Sequence, residues 1–267
     1  MVWRSVLICQ SAERLTNIRF ADDLLLFGKT IDEAVGMLDL LTQVLGEYGL
    51  GLNMKKTKIL STTVTTEDTV LIETADGFVE LVAGSRTHRY LGRAWSGNLR
   101  TRGMSALGHR ISCAWMKFRS VQPTLLNRHV SVKLRLKLFN AAVTPAALYS
   151  LETCPLSHNQ LEQLDITQRK MMRRIVGWVY DADDSWEDAG RRMKDRLKNA
   201  LEQQPIISWS AAIRKRKSKL LFRVMSNETP RVTKMAFEWS PPACALMNET
   251  QPGRRRGHPR QRWQDSL

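Results

Sequence analysis

The stretch "LTNIRFADDLLLFG", residues 15–28, sets two adjacent aspartates, Asp22 and Asp23, between two apolar runs. Upstream, Leu15, Asn17 and Phe20 alternate with polar or β-branched neighbours; downstream, "LLLFG" is a short apolar run. Two such strands around a tight turn at Ala21, Asp22 and Asp23 make a β-hairpin. Two carboxylates at a hairpin tip repel each other and cost stability unless something positive lies beside them. Divalent cations answer that need, and a tight turn suits the task because backbone, not a long side chain, fixes where the carboxylates sit. Taken alone, such a pair is more often a solvated turn.

The segment after the hairpin, "TIDEAVGMLDLLTQVLGEYGLGLN", has the pattern of a helix. Thr30 followed by Glu33 is a capping box. Ile31, Ala34, Val35, Leu38, Leu41, Leu45 and Tyr48 fall on one stripe, and Gly49 and Gly51 stop the helix. A strand in "KTKILSTT" follows. From Thr62 to Gly92 the pattern stays β, through "TVLIET", the turn "ADG", "FVELV" and "HRYLG". From about Leu99 five helical segments follow, broken by Pro, Gly, Asn or Ser, and Pro145 is expected to kink or divide the second of them. The end of the chain, rich in Pro, Gly and Arg, reads as a tail. The fold class is therefore α+β. The expected parts are a β-rich region over 1–95, a helical region over 96–240 and a basic tail over 241–267.

Three motifs occur in order: "FADD" at 20–23, "YGLGLNMKKTKIL" at 48–60 and "HRYLGRAWSG" at 88–97. Together they resemble the catalytic hairpin, the following Gly-Leu-x-Leu-Asn and Lys-Thr-Lys stretch, and the primer grip of reverse transcriptases. "KLRLKLFNAAVTPAALYSLET", "LDITQRKMMRRIVGW" and the closing "GRRRGHPRQRWQDSL" are similar to the region after the palm in enzymes of LINE-type (non-LTR) retrotransposons. The resemblance implies a partial antiparallel palm sheet with a packed helix, then a helical thumb-like region. It implies Asp22 as the principal metal ligand with Asp23 beside it, Mg²⁺ as cofactor, and Phe20 near the primer terminus. Lys56 would lie near the triphosphate as a proton donor to pyrophosphate, its alternative being a surface lysine in a basic turn. Tyr90, Leu91 and Gly92 would steady the primer, and strand packing of Tyr90 and Leu91 is compatible with that role.

The same resemblance calls for a third metal-binding aspartate and for fingers upstream of the hairpin. Residues 1–21 contain no aspartate, and Glu13 is their one acid. The expectation is a fragment of an RNA-directed DNA polymerase, with RNA template and DNA primer as partners, inactive on these residues alone. The rival reading is a non-catalytic, basic nucleic-acid-binding module.

Composition agrees with a polyanionic partner. The 267 residues hold 41 Lys and Arg against 26 Asp and Glu, a formal charge of +15. Cations that neutralise phosphates release condensed counterions. Arg169, Lys170, Arg173 and Arg174 form two i, i+4 rows opposite an apolar stripe of Leu161, Leu164, Met171 and Ile175. Lys215, Arg216, Lys217 and Lys219 repeat the idea, and the tail adds a basic arm. No run of about 18 apolar residues exists to span a bilayer, and an intracellular location, nucleus or cytoplasm, is expected. The four cysteines never form a C-x-x-C pair, so buried free thiols are expected in place of a zinc knuckle.

Overall fold

The computed structural model describes residues 16–61, 64, 69–82, 86–96, 102–179, 183 and 185–226. The tail from 241 onward, Glu13, Cys9 and Cys244 lie outside them. In order, the elements are β1 (Asn17–Phe20), β2 (Asp23–Leu26), α1 (Ile31–Glu47), β3 (Lys58–Leu60), β4 (Val70–Thr74), β5 (Gly77–Val82), β6 (Thr87–Tyr90) and β7 (Arg93–Ser96). Helices α2 (Arg102–Leu125), α3 (Val132–Leu148), α4 (His158–Val176), α5 (Trp186–Gln203) and α6 (Trp209–Met225) follow, with a short 3-10 turn at Leu151–Thr153. The α+β class read from the sequence holds. Two compact units divide the chain: one takes the residues up to Ser105 and resumes at Arg223, and the other holds Ala106–Phe222.

Among the described residues the β-rich unit holds three small sheets: β1-β2, β3-β5-β4 and β6-β7. Three of the pairings, β1-β2, β4-β5 and β6-β7, are hairpins across two-residue turns, and in the middle sheet β3 runs parallel to β5. The core of this unit is Ala34 and Leu38 of α1 against Ile59, Val79 and Leu81 of β3 and β5. The α1 stripe is thus buried in its first half, while Tyr48 at its end is 75% exposed.

Local rules explain the ends of α1. The Thr30 hydroxyl accepts the Glu33 amide at 3.1 Å, and the Glu33 carboxylate accepts the amide of Lys29, one residue before the cap. At the other end Gly49 takes φ 68, its amide donates to the Gly46 carbonyl, and the Leu50 amide donates to the Leu45 carbonyl. That pair of bonds is the Schellman motif, in which glycine adopts the left-handed conformation without a Cβ penalty. Asp39, midway along α1, accepts the Ala75 amide at 2.9 Å and so holds the β4–β5 turn.

The helical unit has one core through which an aromatic ladder runs. Trp115 meets Phe118 edge-on at 5.6 Å, Phe118 meets Phe139 at 6.5 Å, and Phe139 stacks on Trp209 at 6.1 Å. Helix α4 grips the start of α6, where amides lack intrahelical acceptors. Gln168 Oε1 accepts the Trp209 amide and the Asp165 carboxylate accepts both the amide and the hydroxyl of Ser210. Ser157 and Gln160 close a reciprocal capping box on α4 itself.

Pro145 neither divides nor ends α3, which continues unbroken to Leu148. The proline falls in the last turn, and the carbonyl deprived of a donor belongs to Ala141, an exposed residue that water can reach. Of the cysteines described, Cys113 and Cys154 are free thiols, the latter fully buried in the helical core.

Candidate functional site

The aspartate hairpin has the geometry its sequence requires. Phe20 pairs with Asp23 across the strands, leaving Ala21 and Asp22 as the two turn residues. Ala21 takes φ 52, a left-handed conformation that a residue with a small side chain tolerates better than a branched one. Asp22 and Asp23 are both exposed, and Phe20 beside them is 62% exposed. An aromatic ring and two carboxylates therefore stand in solvent at one hairpin tip.

The second hairpin, β6-β7, was only half legible in the sequence. "HRYLG" predicted β6, but β7 (Arg93–Ser96) pairs with it, Tyr90 opposite Arg93 and His88 opposite Trp95. Leu91 and Gly92 form the turn with φ 48 and 73, the left-handed pair of a type I′ turn. Leucine is an uncommon residue there, so surrounding pairings must hold it. The Tyr90 hydroxyl oxygen is buried and has no hydrogen-bond partner among the described residues. Burial, and then the charge of Asp23, push its pKa above the ordinary tyrosine range. The two hairpins are thus electrostatically coupled.

Two guanidinium groups lie over the Trp95 ring, Arg93 at 4.8 Å and Arg102 at 5.2 Å from its centroid. Arg102 also donates to the Ser96 carbonyl from two nitrogens, which ties the start of α2 to β7. Burial first, and then Arg93, lower its pKa to about 10. No sequence pattern announced this cluster, because its members are brought together only by the hairpin and the entry of α2.

Lys56 is exposed in the turn between α1 and β3. Asn53 shapes that turn: its side-chain oxygen accepts the Lys56 amide at 3.2 Å, and its backbone carbonyl accepts the amides of Lys56 and Thr57 and the Thr57 hydroxyl. Both readings of Lys56, proton donor or surface lysine, place it in such an exposed turn.

On α4, Arg169, Lys170 and Arg174 are exposed and Arg173 is half-buried. The apolar stripe of Leu161, Leu164, Met171 and Ile175 is buried on the other side. Two of the four cations have aromatic neighbours. The Arg174 guanidinium sits 4.9 Å from the Trp115 ring, and Arg173 lines a cavity with Trp178 and Trp186. The second basic run needs correction as a solvated face. Lys217 is 1% exposed, because it shares the buried side of α6 with Trp209 and Ile213 at four-residue steps. Arg216 turns inward to donate to the Leu148 carbonyl, so only Lys215 and Lys219 of that run are exposed.

Residues 5–109 match the reverse transcriptase (RNA-dependent DNA polymerase) family. The matched segment therefore spans the aspartate hairpin, α1, the Lys56 turn and the β6-β7 hairpin. Over 235 residues the chain is 28% identical to an uncharacterized transposon-derived protein of Caenorhabditis elegans, covering 86% of this chain and 79% of that protein. That alignment is longer than the segment matching the reverse transcriptase family and reaches well into the helical unit. No solved structure matches the chain. Reverse transcriptases act on a nucleic-acid template and primer and in general use divalent metal ions.

The fit of such an ion can be judged from the donors present. Hard divalent cations take about six oxygen ligands. Asp22 and Asp23 offer carboxylates of the correct kind, but among the described residues no three His, Cys, Asp or Glu side chains stand together as a metal-holding group. On the described residues the pair would supply only part of a coordination set. No helix among the described residues is long and apolar enough to cross a membrane.

Proposed function

We propose that the chain is a fragment of a LINE-type (non-LTR) retrotransposon reverse transcriptase that binds nucleic acid through its helical unit and does not polymerise on these residues alone. The observation that carries the reading is the exposed Asp22–Asp23 pair at a hairpin tip, coupled to Tyr90 of the second hairpin inside a segment of reverse-transcriptase family.

In this reading Asp22 and Asp23 are metal ligands and Phe20 stands at the primer terminus. Tyr90, Leu91 and Gly92 steady the primer strand from the β6-β7 turn, and Lys56 reaches the triphosphate from the Asn53 turn. In the intact enzyme Mg²⁺ supplies activation of the primer 3′-hydroxyl and stabilisation of the leaving pyrophosphate. The exposed cations of α4, Arg169, Lys170 and Arg174, with Arg173 beside them, contact phosphates without regard to sequence.

A salt titration of fluorescence anisotropy on an RNA·DNA duplex tests the reading. On duplex DNA the log of affinity falls by roughly 0.9 per log unit of salt for each phosphate neutralised. Replacing Arg169, Lys170, Arg173 and Arg174 with Gln flattens the slope, whereas Asp22→Ala leaves or slightly strengthens binding by removing a negative charge. An unchanged slope in the fourfold variant assigns α4 to an ordinary solvated face and defeats the nucleic-acid role given to it.

A further inference from the structure

The end of α4 and the start of α5 form a site that the reverse-transcriptase reading does not use. Trp178, just beyond α4, and Trp186, the first residue of α5, stack nearly parallel, with ring centroids 6.0 Å apart and planes 13° apart. Trp186 nevertheless remains 75% exposed. The pair borders a cavity of about 450 Å³ that Arg173, Arg191 and Lys194 also line, with Glu187 as the one acid among its described lining residues.

Each feature narrows the chemistry of an occupant. Two tryptophans that stacked only to leave water would both bury their faces; here one ring uses a single face and offers the other to solvent. Indole faces accept flat π systems or cations. Three cations against a single carboxylate disfavour a cationic ligand and favour a flat group that carries negative charge. Arg191 is partly occupied, since its guanidinium lies 3.2 Å from the Asp188 carboxylate. Arg173, which lines the cavity, is not: its Nε is buried and has no hydrogen-bond partner among the described residues. A buried, unpartnered guanidinium N–H costs free energy that an incoming acceptor recovers.

We infer that this cavity is a stacking site for one base of a single-stranded nucleic acid, the base lying on the free face of Trp186 with its phosphate among Arg173, Lys194 and Arg191. A strand fits better than a free nucleotide. Arg169 lies one helical turn before Arg173 on α4, and Lys170 beside it is exposed, so a backbone held at Arg173 meets further cations along the helix. Aromatic platforms combined with cationic tracks bind single strands with little sequence preference, because every base has a π face. The inference rests on the nucleic-acid reading above and adds to it a stacking contact that phosphate binding does not require.

The test compares the full chain with Trp186→Ala and Trp186→Phe on three short probes of equal length: oligo(dT), oligo(rU) and an abasic deoxyribose-phosphate oligomer. Binding is followed by anisotropy, and by tryptophan quenching in the unsubstituted protein. Because Trp186 is exposed, circular dichroism of both variants should match the parent. Trp186→Ala is expected to weaken oligo(dT) and oligo(rU) by about tenfold while leaving the abasic oligomer unchanged, and Trp186→Phe to restore most of the loss. Equal loss on all three probes, or no loss on any, overturns the stacking site while leaving phosphate binding intact. Failure of the parent to bind even the abasic oligomer overturns the nucleic-acid reading, and this site with it. Loss on only one of oligo(dT) and oligo(rU) retains the site and fixes the sugar it accepts.

Discussion

Asp23 and Tyr90 stand on different hairpins, yet the charge of the aspartate reaches the phenol of the tyrosine and raises its pKa on top of the effect of burial. Asp23→Asn removes the second cause and leaves the first. The Tyr90 phenol should then ionise at lower pH than in the parent, measured as tyrosinate absorbance by difference against Tyr90→Phe. A raised phenol also means that the stability Tyr90 contributes is present below an unfolded pKa of about 10 and lost as the pH rises through the folded value. An unchanged Tyr90 titration in the asparagine variant would separate the two hairpins electrostatically.

Acid should weaken the β-rich unit in two stages. The His88 pKa is lowered first by burial and then by Lys58, with Glu80 acting in the opposite sense. A depressed histidine stabilises the fold above its unfolded pKa of about 6.5, and that contribution fades as the pH falls through the folded value. Glu80 is held below its ordinary range chiefly by its bond to Lys58, 2.7 Å away across the parallel β3-β5 pair, and also by Arg86. Its contribution is present above about pH 4.3 and lost below that. Glu80→Gln should lower stability at neutral pH, flatten the more acidic stage and, by removing a charge that favours protonated His88, move the less acidic stage to lower pH, whereas His88→Gln should flatten the less acidic stage. Denaturant midpoints across pH measure both.

Gly28 should resist substitution. A Cβ there would lie 3.0 Å from the Ala34 amide nitrogen and 3.1 Å from the Thr30 carbonyl oxygen. Both are backbone atoms in the first turn of α1, which cannot yield as a flexible side chain could. Gly28→Ala should cost about 1–3 kcal/mol by overpacking. Urea unfolding of the alanine variant with parent-like stability would show that α1 can shift as a body.

Arg135 should matter to the helical unit out of proportion to its charge. It is buried, and one guanidinium nitrogen donates both to the Leu125 carbonyl at the end of α2 and to the Ile175 carbonyl near the end of α4. Arg135→Met keeps apolar packing but leaves both carbonyls without that donor, at a cost of about 2–3 kcal/mol. Urea denaturation followed by circular dichroism measures it; a loss below a few tenths of a kcal/mol would mean water replaces the guanidinium.

A polypeptide of these 267 residues should incorporate no dNTP on a primed template with Mg²⁺ or Mn²⁺. The ground is that, in the proposed reading, Asp22 and Asp23 would supply only part of a metal-ligand set among the described residues. Incorporation that Asp22→Ala abolishes would show that another acid completes the site.

The sequence by itself determined what depends on near neighbours. The aspartate hairpin follows from apolar runs on either side of a two-residue turn, and α1 from Thr30, its apolar spacing and Gly49. Each of these signals acts over at most a few residues, so it is written consecutively in the chain. The family resemblance was legible for the same reason, since "FADD", the Lys56 turn and "RYLG" are each continuous. Tertiary structure alone decided the rest. It paired "RAWS" with β6, split the described strands into three sheets and set Asp23 near Tyr90. It also drew Lys217 into a core that its basic neighbours had argued against, and closed Trp186 onto Trp178 beside Arg173. Burial and electrostatic coupling are properties of distances through space, and the spacing of residues along a chain does not contain them until the chain has folded.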